Sequence, residues 1–427
     1  MGYGRLIYNI LSYTAMPFAM GRLFLKGTKN PDYLKRIGER LGKAPLPPLS
    51  SSIWLHAVSV GEVQAALPLI REIKERYPHL PLVITTTTPT GSAQLRQNIR
   101  DIYHSYIPYD VPWFINRFLR HINPGIILIM ETEIWPNLLF ISGEKRIPIF
   151  IINARISPSS LKNYRKIKGF MQEVLQNCTG ILVQSPAQRE HFLILGCEPS
   201  RVAVTGNIKF DIHPPEDKIH QGLELKREIF QDHMVWIGAS THRGEEEKLL
   251  LIHRDVIKKF PHTRLLLVPR HPERFSEVYE LCRSMGFKVH RRSNSLIPSI
   301  PFDIYLGDSM GELFMYYAMS DIAFVGGSLV RVGGHNLLEP GSLSLPIITG
   351  PYLYNFMEIS KQYQERGALL VGRDEKEVKG HLLHLLESPQ RRKGMGLNSK
   401  KIIEENKGAL EKIISHISPF ISKRCLR

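Results

Sequence analysis

Six places in this 427-residue chain put acidic, basic or glycine-rich sequence directly after an apolar run. They are Ser59-Val-Gly-Glu62, Glu131-Thr-Glu133, Gly206-Asn-Ile-Lys209, Pro269-Arg-His271, Gly307-Asp-Ser-Met-Gly-Glu312, and Gly326-Gly through Gly333-Gly-His-Asn-Leu-Leu-Glu339. Glu62 could serve as a general base that takes a proton from a hydroxyl; its spacing also suits a helix first-turn carboxylate stabilised by the dipole. Glu131 and Glu133 alternate about Thr132, so in an extended chain they share a face, where they would repel and raise a pKa or bind a metal together. No D-x-D follows to complete a nucleotide-sugar metal site. Lys209 could neutralise charge developing in a transition state, or be a surface lysine.

The later places favour an anionic ligand. Gly326, Gly327, Gly333 and Gly334 bracket a loop that leads into a helix expected to begin near Asn336. Glycines let backbone N–H groups approach a ligand and a helix start adds partial positive charge, so a phosphate is the natural guest. Glu339, one turn on, could accept hydrogen bonds from ribose hydroxyls; a tight turn with a helix-stabilising carboxylate is the plain alternative. The stretch matches neither G-x-G-x-x-G nor G-x-x-x-x-G-K-[ST]. Met310-Gly-Glu312 could set main-chain groups against a base or phosphate, or be a helix start capped by Asp308 or Ser309. Arg270 could hold a phosphate bidentately, or be a surface arginine.

Such residues need a parallel sheet to position them. From about residue 50, short apolar runs alternate with longer amphipathic ones, the pattern of strands joined by crossover helices. Strands are expected at 53–57, 82–87, 126–130, 149–152, 181–184 and 202–205, then at 235–238, 264–268, 288–290, 303–306, 322–325, 346–349 and 368–371. Between the two sets, Asp211-Ile-His-Pro-Pro-Glu-Asp217 carries paired prolines that favour an extended connector. The expected class is α/β: two doubly wound Rossmann-like domains, 25–213 and 214–427, facing a central cleft after an N-terminal segment 1–24. Open parallel sheets bind ligands beyond the carboxyl ends of their strands, and all six places lie there.

A composition of 43% hydrophobic and 22% charged residues excludes a disordered or fibrous chain. The net charge of +16 favours anionic partners. An RRM-like aromatic signature, a C2H2 finger and a concentrated basic stripe are all missing, so nucleic acid is not an expected partner. A serine hydrolase on Ser59 is disfavoured because Ala57 replaces the first glycine of G-x-S-x-G. Cys178, Cys197, Cys282 and Cys425 are far apart, which indicates a reducing compartment rather than a zinc ribbon or disulfide framework. Between Arg5 and Arg22 no residue carries a formal charge, and Arg22, Lys26, Lys29, Lys35, Arg36, Arg40 and Lys43 follow against only Asp32 and Glu39. Segment 1–24 is therefore expected to anchor the chain in or on a membrane, with the basic flank cytoplasmic. Its alternative is a helix packed on the protein's own body.

Taken together, His56-Ala-Val-Ser-Val-Gly-Glu62, Thr86-Thr-Thr-Pro-Thr-Gly91, Met130-Glu-Thr-Glu-Ile-Trp-Pro-Asn137, Asn153-Ala-Arg155, Gly206-Asn-Ile-Lys-Phe-Asp211, Val268-Pro-Arg-His-Pro-Glu-Arg-Phe275, Met310-Gly-Glu-Leu313, Phe324-Val-Gly-Gly-Ser-Leu-Val330 and Gly333-Gly-His-Asn336 resemble, in chain order, the bacterial 3-deoxy-D-manno-octulosonate (Kdo) transferases. The resemblance implies a GT-B glycosyltransferase (family 30), an N-terminal anchor in the inner membrane, and a site on the cytoplasmic side. It implies transfer of Kdo from CMP-Kdo to a lipid A precursor, lipid IVA, in lipopolysaccharide synthesis, with inversion at the anomeric carbon. Glu62 would be the proton acceptor, with Glu131 and Lys209 stabilising the transition state. CMP contacts would come from Pro269, Arg270, Met310, Gly311, Glu312, Asn336, Leu337, Leu338 and Glu339. Departures such as Leu337 for a common proline remove no functional side chain. No metal or other cofactor is expected, since the phosphate of CMP can leave as an anion held by helix N-termini and Arg270. The rival reading is a related enzyme acting on another nucleotide-activated sugar.

Overall fold

The structure is a computed structural model that describes residues 2–294, 297–298 and 301–425. Met1, at the head of the expected anchor, and residues 426–427, at the end of the expected second domain, lie outside the described residues. The chain forms two compact units: residues up to Asp211 together with the stretch from Asn406, and Ile212–Glu405.

The first unit is built on seven parallel strands: β1 (Ser52–His56), β2 (Leu82–Thr86), β3 (Tyr103–Tyr106), β4 (Pro124–Met130), β5 (Ile149–Ala154), β6 (Gly180–Val183) and β7 (Val202–Val204). Their order is β3-β2-β1-β4-β5-β6-β7, so the direction of chain progression reverses between β1 and β4. The second unit holds β8 (Met234–Thr241), β9 (Thr263–Pro269), β10 (Val289–Arg291), β11 (Ile304–Leu306), β12 (Ile322–Val325), β13 (Ile347–Thr349) and β14 (Leu369–Val371). Its order is β10-β11-β9-β8-β12-β13-β14, with the reversal between β8 and β12.

The central strands are continuous apolar runs because helices cover both faces of each sheet. Trp54 on β1 and Trp236 on β8 are buried at matching positions, and each indole N–H finds a partner: Thr85 Oγ1 at 2.9 Å and His253 Nδ1 at 3.2 Å. One strand lies beyond those expected: β3, Tyr-His-Ser-Tyr, an edge strand whose polar residues hide the apolar signal. The guanidinium groups of Arg36 and Arg40 stack 4.6 and 4.3 Å from the Tyr106 ring.

The expected boundary at the C-terminus needs correction. Helix Ala409–Cys425 belongs to the first unit, where Ile413, Ile414, Ile417 and Ile421 pack with Ile53, Leu55, Ile126 and Leu128. Their 3–4-residue spacing makes one apolar face, and burying each is worth about 1.5–3 kcal/mol, which favours the return. Asp211 caps the helix start, its carboxylate accepting from Gly408 N and Leu410 N.

Of the N-terminal expectation, a helix in or on a membrane, the first form lacks support. Tyr3–Lys29 is one helix, but among the described residues no helix is long and apolar enough to cross a membrane. Arg5 and Arg22 bound the uncharged stretch, and within it Tyr8 and Ser12 hydrogen-bond to Asp110 and Asn137 of the body. A membrane-spanning anchor is therefore not supported. Cys178, Cys197 and Cys282 are free thiols.

Candidate active site

Ser59 turns the chain from β1 into helix Val60–Arg76, its hydroxyl accepting from Glu62 N at 3.4 Å. The Glu62 side chain folds back to accept from Val58 N at 2.8 Å, a capping arrangement close to the S-x-x-E box. The first-turn reading of Glu62 therefore holds, and its carboxylate sits at the reversal between β1 and β4. Burial above all pushes it up to about 7; the Val58 amide opposes this, and the negative charges of Glu131 and Glu133 add to it.

Glu131 follows β4 directly, with φ of +53°. Its carboxylate is buried and clamped by Arg155 Nε at 2.8 Å and Lys209 Nζ at 3.6 Å. Asn153, at the end of neighbouring β5, also has a positive φ, +52°, and its Oδ1 accepts from Ile208 N at 3.1 Å, fixing the turn that carries Lys209. Two non-glycine residues in the left-handed region at adjacent strand ends are strained backbone of the kind retained at functional sites. Of the two alternatives for Glu131 and Glu133, repulsion or a shared metal, the side chains do not adopt the second. The positive φ breaks the extended alternation, so the two carboxylates diverge: Glu131 goes to its two cations and Glu133 accepts from Trp135 Nε1 at 3.0 Å. Burial raises the Glu133 carboxyl too. Among the described residues no group of three or more His, Cys, Asp or Glu could hold a metal ion.

The first unit thus brings Glu62, Glu131 and Lys209 together and adds Arg155, Asn153 and Glu133. Arg155 carried a signal, as a cation three residues beyond the expected strand end at 152 and directly after the observed one at Ala154, but nothing in its spacing assigned it to Glu131.

In the second unit, β11 and β9 are neighbours, so the turn Gly307–Glu312 lies beside Pro269 and Arg270. Arg270 is exposed; burial above all raises the Glu339 carboxyl and lowers His242 and His335, and the Arg270 charge adds a smaller downward pull on all three, which places these groups within its electrostatic reach. Asn336 Oδ1 accepts from Leu338 N and its amide donates to Glu339 Oε1, both at 3.1 Å. Leu337 and Leu338 are buried, so any ligand contact there is by main chain. Met310 is exposed, Gly311 has φ of +78°, and Glu312 pairs with Arg292 Nη2 at 3.0 Å.

The glycine loop is filled differently from the phosphate expectation. The fully buried Glu245 carboxylate accepts from Gly327 N, Ser328 N and Leu329 N at 2.7, 2.9 and 2.8 Å, and from His242 N at 2.9 Å. Gly333 N and Gly334 N donate to Gly327 O. An internal anion holds the first part of the loop, while Gly326 has room only for a hydrogen because a Cβ would sit 2.6 Å from Ser240 O. Beside it the His242 and His335 rings stack with Nε2 atoms 2.8 Å apart. Burial, ahead of neighbouring positive charges, lowers them to about 4 and about 3, so both are neutral at pH 7 and one donates to the other.

A sequence model of the family described as 3-deoxy-D-manno-octulosonic-acid transferase (kdotransferase) matches residues 35–212. The chain is 39% identical over 424 residues to the 3-deoxy-D-manno-octulosonic acid transferase of Haemophilus influenzae, covering 98% of this chain and 99% of that one. It is 32% identical over 408 residues to the protein of the same name from Bordetella pertussis, covering 90% and 91%. The crystal structure of Acinetobacter baumannii MurG superposes with a TM-score of 0.54 at 10% identity, covering 87% of this chain and 100% of that one. That likeness shows the fold, a GT-B-like pair of α/β units.

Proposed function

We propose, because this chain belongs to the 3-deoxy-D-manno-octulosonic acid transferase family, that it is the glycosyltransferase that moves Kdo from CMP-Kdo to a lipid A precursor in lipopolysaccharide synthesis. The observation that carries the mechanism is the acidic cluster at the β1–β4 reversal: one carboxylate, Glu62, pushed up to about 7, beside another, Glu131, held by Arg155 and Lys209.

In this reading the acceptor hydroxyl gives its proton to Glu62 as its oxygen forms the bond to the anomeric carbon from the face opposite the phosphate, which inverts the centre. The C–O bond to CMP breaks and CMP leaves as an anion. Glu131 and Lys209 supply fixed opposite charges where charge develops, and such preorganised groups need not reorient during reaction. The second unit takes CMP: Pro269 and Arg270 at the end of β9, the Met310-Gly311-Glu312 turn, and Asn336, Leu337, Leu338 and Glu339. Arg270 meets the phosphate, and Glu339 accepts from ribose hydroxyls. The Asn336–Leu338 segment offers main-chain groups.

The site acts at the cytoplasmic side of the inner membrane, with the N-terminal helix lying in the interface. In support, Tyr3, Phe18 and Leu25 are 88, 81 and 71% exposed on that helix, next to Arg22 and Lys26, the combination suited to an interfacial helix on anionic lipid.

Incubating the full-length protein with CMP-Kdo and a lipid A precursor, with the lipid read by mass spectrometry, tests the function. A lipid heavier by whole Kdo residues is expected, with turnover persisting in excess EDTA. An unchanged lipid contradicts the reading. Calorimetric titration should favour CMP over UDP and GDP; the reverse order would favour another activated sugar.

A further inference from the structure

We propose that Tyr8 and Asp110 are positioning residues for this reaction: the N-terminal helix, through their hydrogen bond, sets the loop that carries Glu131 and Glu133. The role rests on the reading above.

Asp110 is buried beyond the end of β3, and its carboxylate takes three donors. Asn137 N and Leu138 N, both at 2.9 Å, are first-turn amides of helix Pro136–Glu144, and the third donor is the Tyr8 hydroxyl at 3.0 Å. The Asn137 amide donates in return to Asp110 O at 2.8 Å. Asp110 thus caps this helix from outside its own sequence, where the helix's N-cap residue, Trp135, offers no side-chain cap.

The segment that leads into the helix is Glu131-Thr-Glu-Ile-Trp135, which has no regular structure of its own. It spans from the strained Glu131 at the tip of β4 to the capped start of the helix. Inside it the Thr132 hydroxyl donates to Arg155 O and the Trp135 indole to Glu133. With one end fixed by β4, the other end is fixed by Asp110. A shift of the helix start would be taken up by the short loop between, where both carboxylates sit.

Tyr8 matters to that fix because the surrounding seam is under-satisfied. Asn9 Oδ1 and Asn137 Oδ1 are buried there without a hydrogen-bond partner among the described residues. Burial raises the Asp110 carboxyl to about 6, and its three hydrogen bonds oppose that rise. Removing the hydroxyl withdraws one of those donors. The Tyr8 ring also packs 5.7 Å from Phe170, a contact that phenylalanine would keep. Arg5 pairs with Glu144 at the opposite end of the same helix, which gives a natural contrast: it docks the N-terminal helix without holding the end from which the loop departs.

The test compares full-length wild type, Tyr8→Phe, Asp110→Asn and Arg5→Gln for kcat, for the KM of CMP-Kdo and of the lipid A precursor, for thermal midpoint, and for amide hydrogen exchange over residues 131–138. Tyr8→Phe should keep its midpoint, exchange faster over 131–138, and lose about tenfold in kcat with the donor KM within about twofold, as expected when catalytic groups are misplaced without loss of donor binding. Asp110→Asn should follow the same pattern if it folds; Tyr8→Phe decides the matter if it does not. Arg5→Gln should retain wild-type kcat. Unchanged kcat in Tyr8→Phe, unchanged exchange over 131–138, or an equal loss in Arg5→Gln would overturn the role. Absence of Kdo transfer by wild type would overturn the assigned reaction and this role with it, whereas wild-type transfer with an indifferent Tyr8→Phe would overturn the role alone.

Discussion

A base that accepts a proton from a sugar hydroxyl near neutral pH works best with a pKa close to the ambient pH. Burial and two neighbouring carboxylates give Glu62 that value, about 7 against an ordinary 4.5. The rate constant kcat/KM should therefore fall about tenfold per pH unit below roughly pH 7 and level off above it; a pH–rate profile with its acid limb near 4.5 would deny Glu62 the role. The same shift bears on stability. Because the folded pKa lies above the unfolded one, the stabilisation Glu62 brings is complete below about pH 4.5 and is lost as pH rises through about 7. Glu62→Gln should melt above wild type at pH 8, by up to roughly 3 kcal/mol, and with it at pH 4, measured by thermal denaturation. The positions of Glu62, Lys209 and Arg270 just beyond strands were legible in the sequence because strand ends could be read from apolar runs. What was not legible was conformation and distant partnership. The positive φ of Glu131 sends its side chain away from Glu133 and toward Arg155, and Glu245, 82 residues before Gly327, fills the loop that glycine content alone had offered to a phosphate.

At the scale of elements, apolar runs were enough to find the central strands, which are buried on both faces. They missed β3, whose Tyr-His-Ser-Tyr pairs with β2 at the sheet edge and relies on arginine stacking. They also assigned the final helix to the wrong unit, since an amphipathic helix does not say which sheet it will cover. The buried isoleucine face settles this, and Asp211 adds to it by joining the outgoing connector to the returning chain at Gly408 and Leu410. Asp211→Ala should lower stability by about 1–2 kcal/mol, in the range of a lost helix cap, and speed amide exchange across Ala409–Cys425. Urea denaturation and hydrogen exchange would check this; an unchanged helix would mean that its isoleucines alone secure it.

For the whole molecule, a net charge of +16 and an N-terminal helix with exposed Tyr3, Phe18 and Leu25 should produce salt-sensitive binding to anionic vesicles. Phe18→Asp should weaken that binding by about tenfold or more, the order expected when one large apolar side chain is withdrawn from lipid; vesicle sedimentation would measure it, and equal binding would place the helix elsewhere. The central claim is that Glu62 accepts the proton while the second unit holds CMP. The most direct measurement is the transfer rate of Glu62→Gln with CMP-Kdo and a lipid A precursor, paired with calorimetric titration of CMP-Kdo. The account predicts a loss of at least about a thousandfold in rate with donor affinity retained; a variant that still turns over within about tenfold of wild type would contradict it.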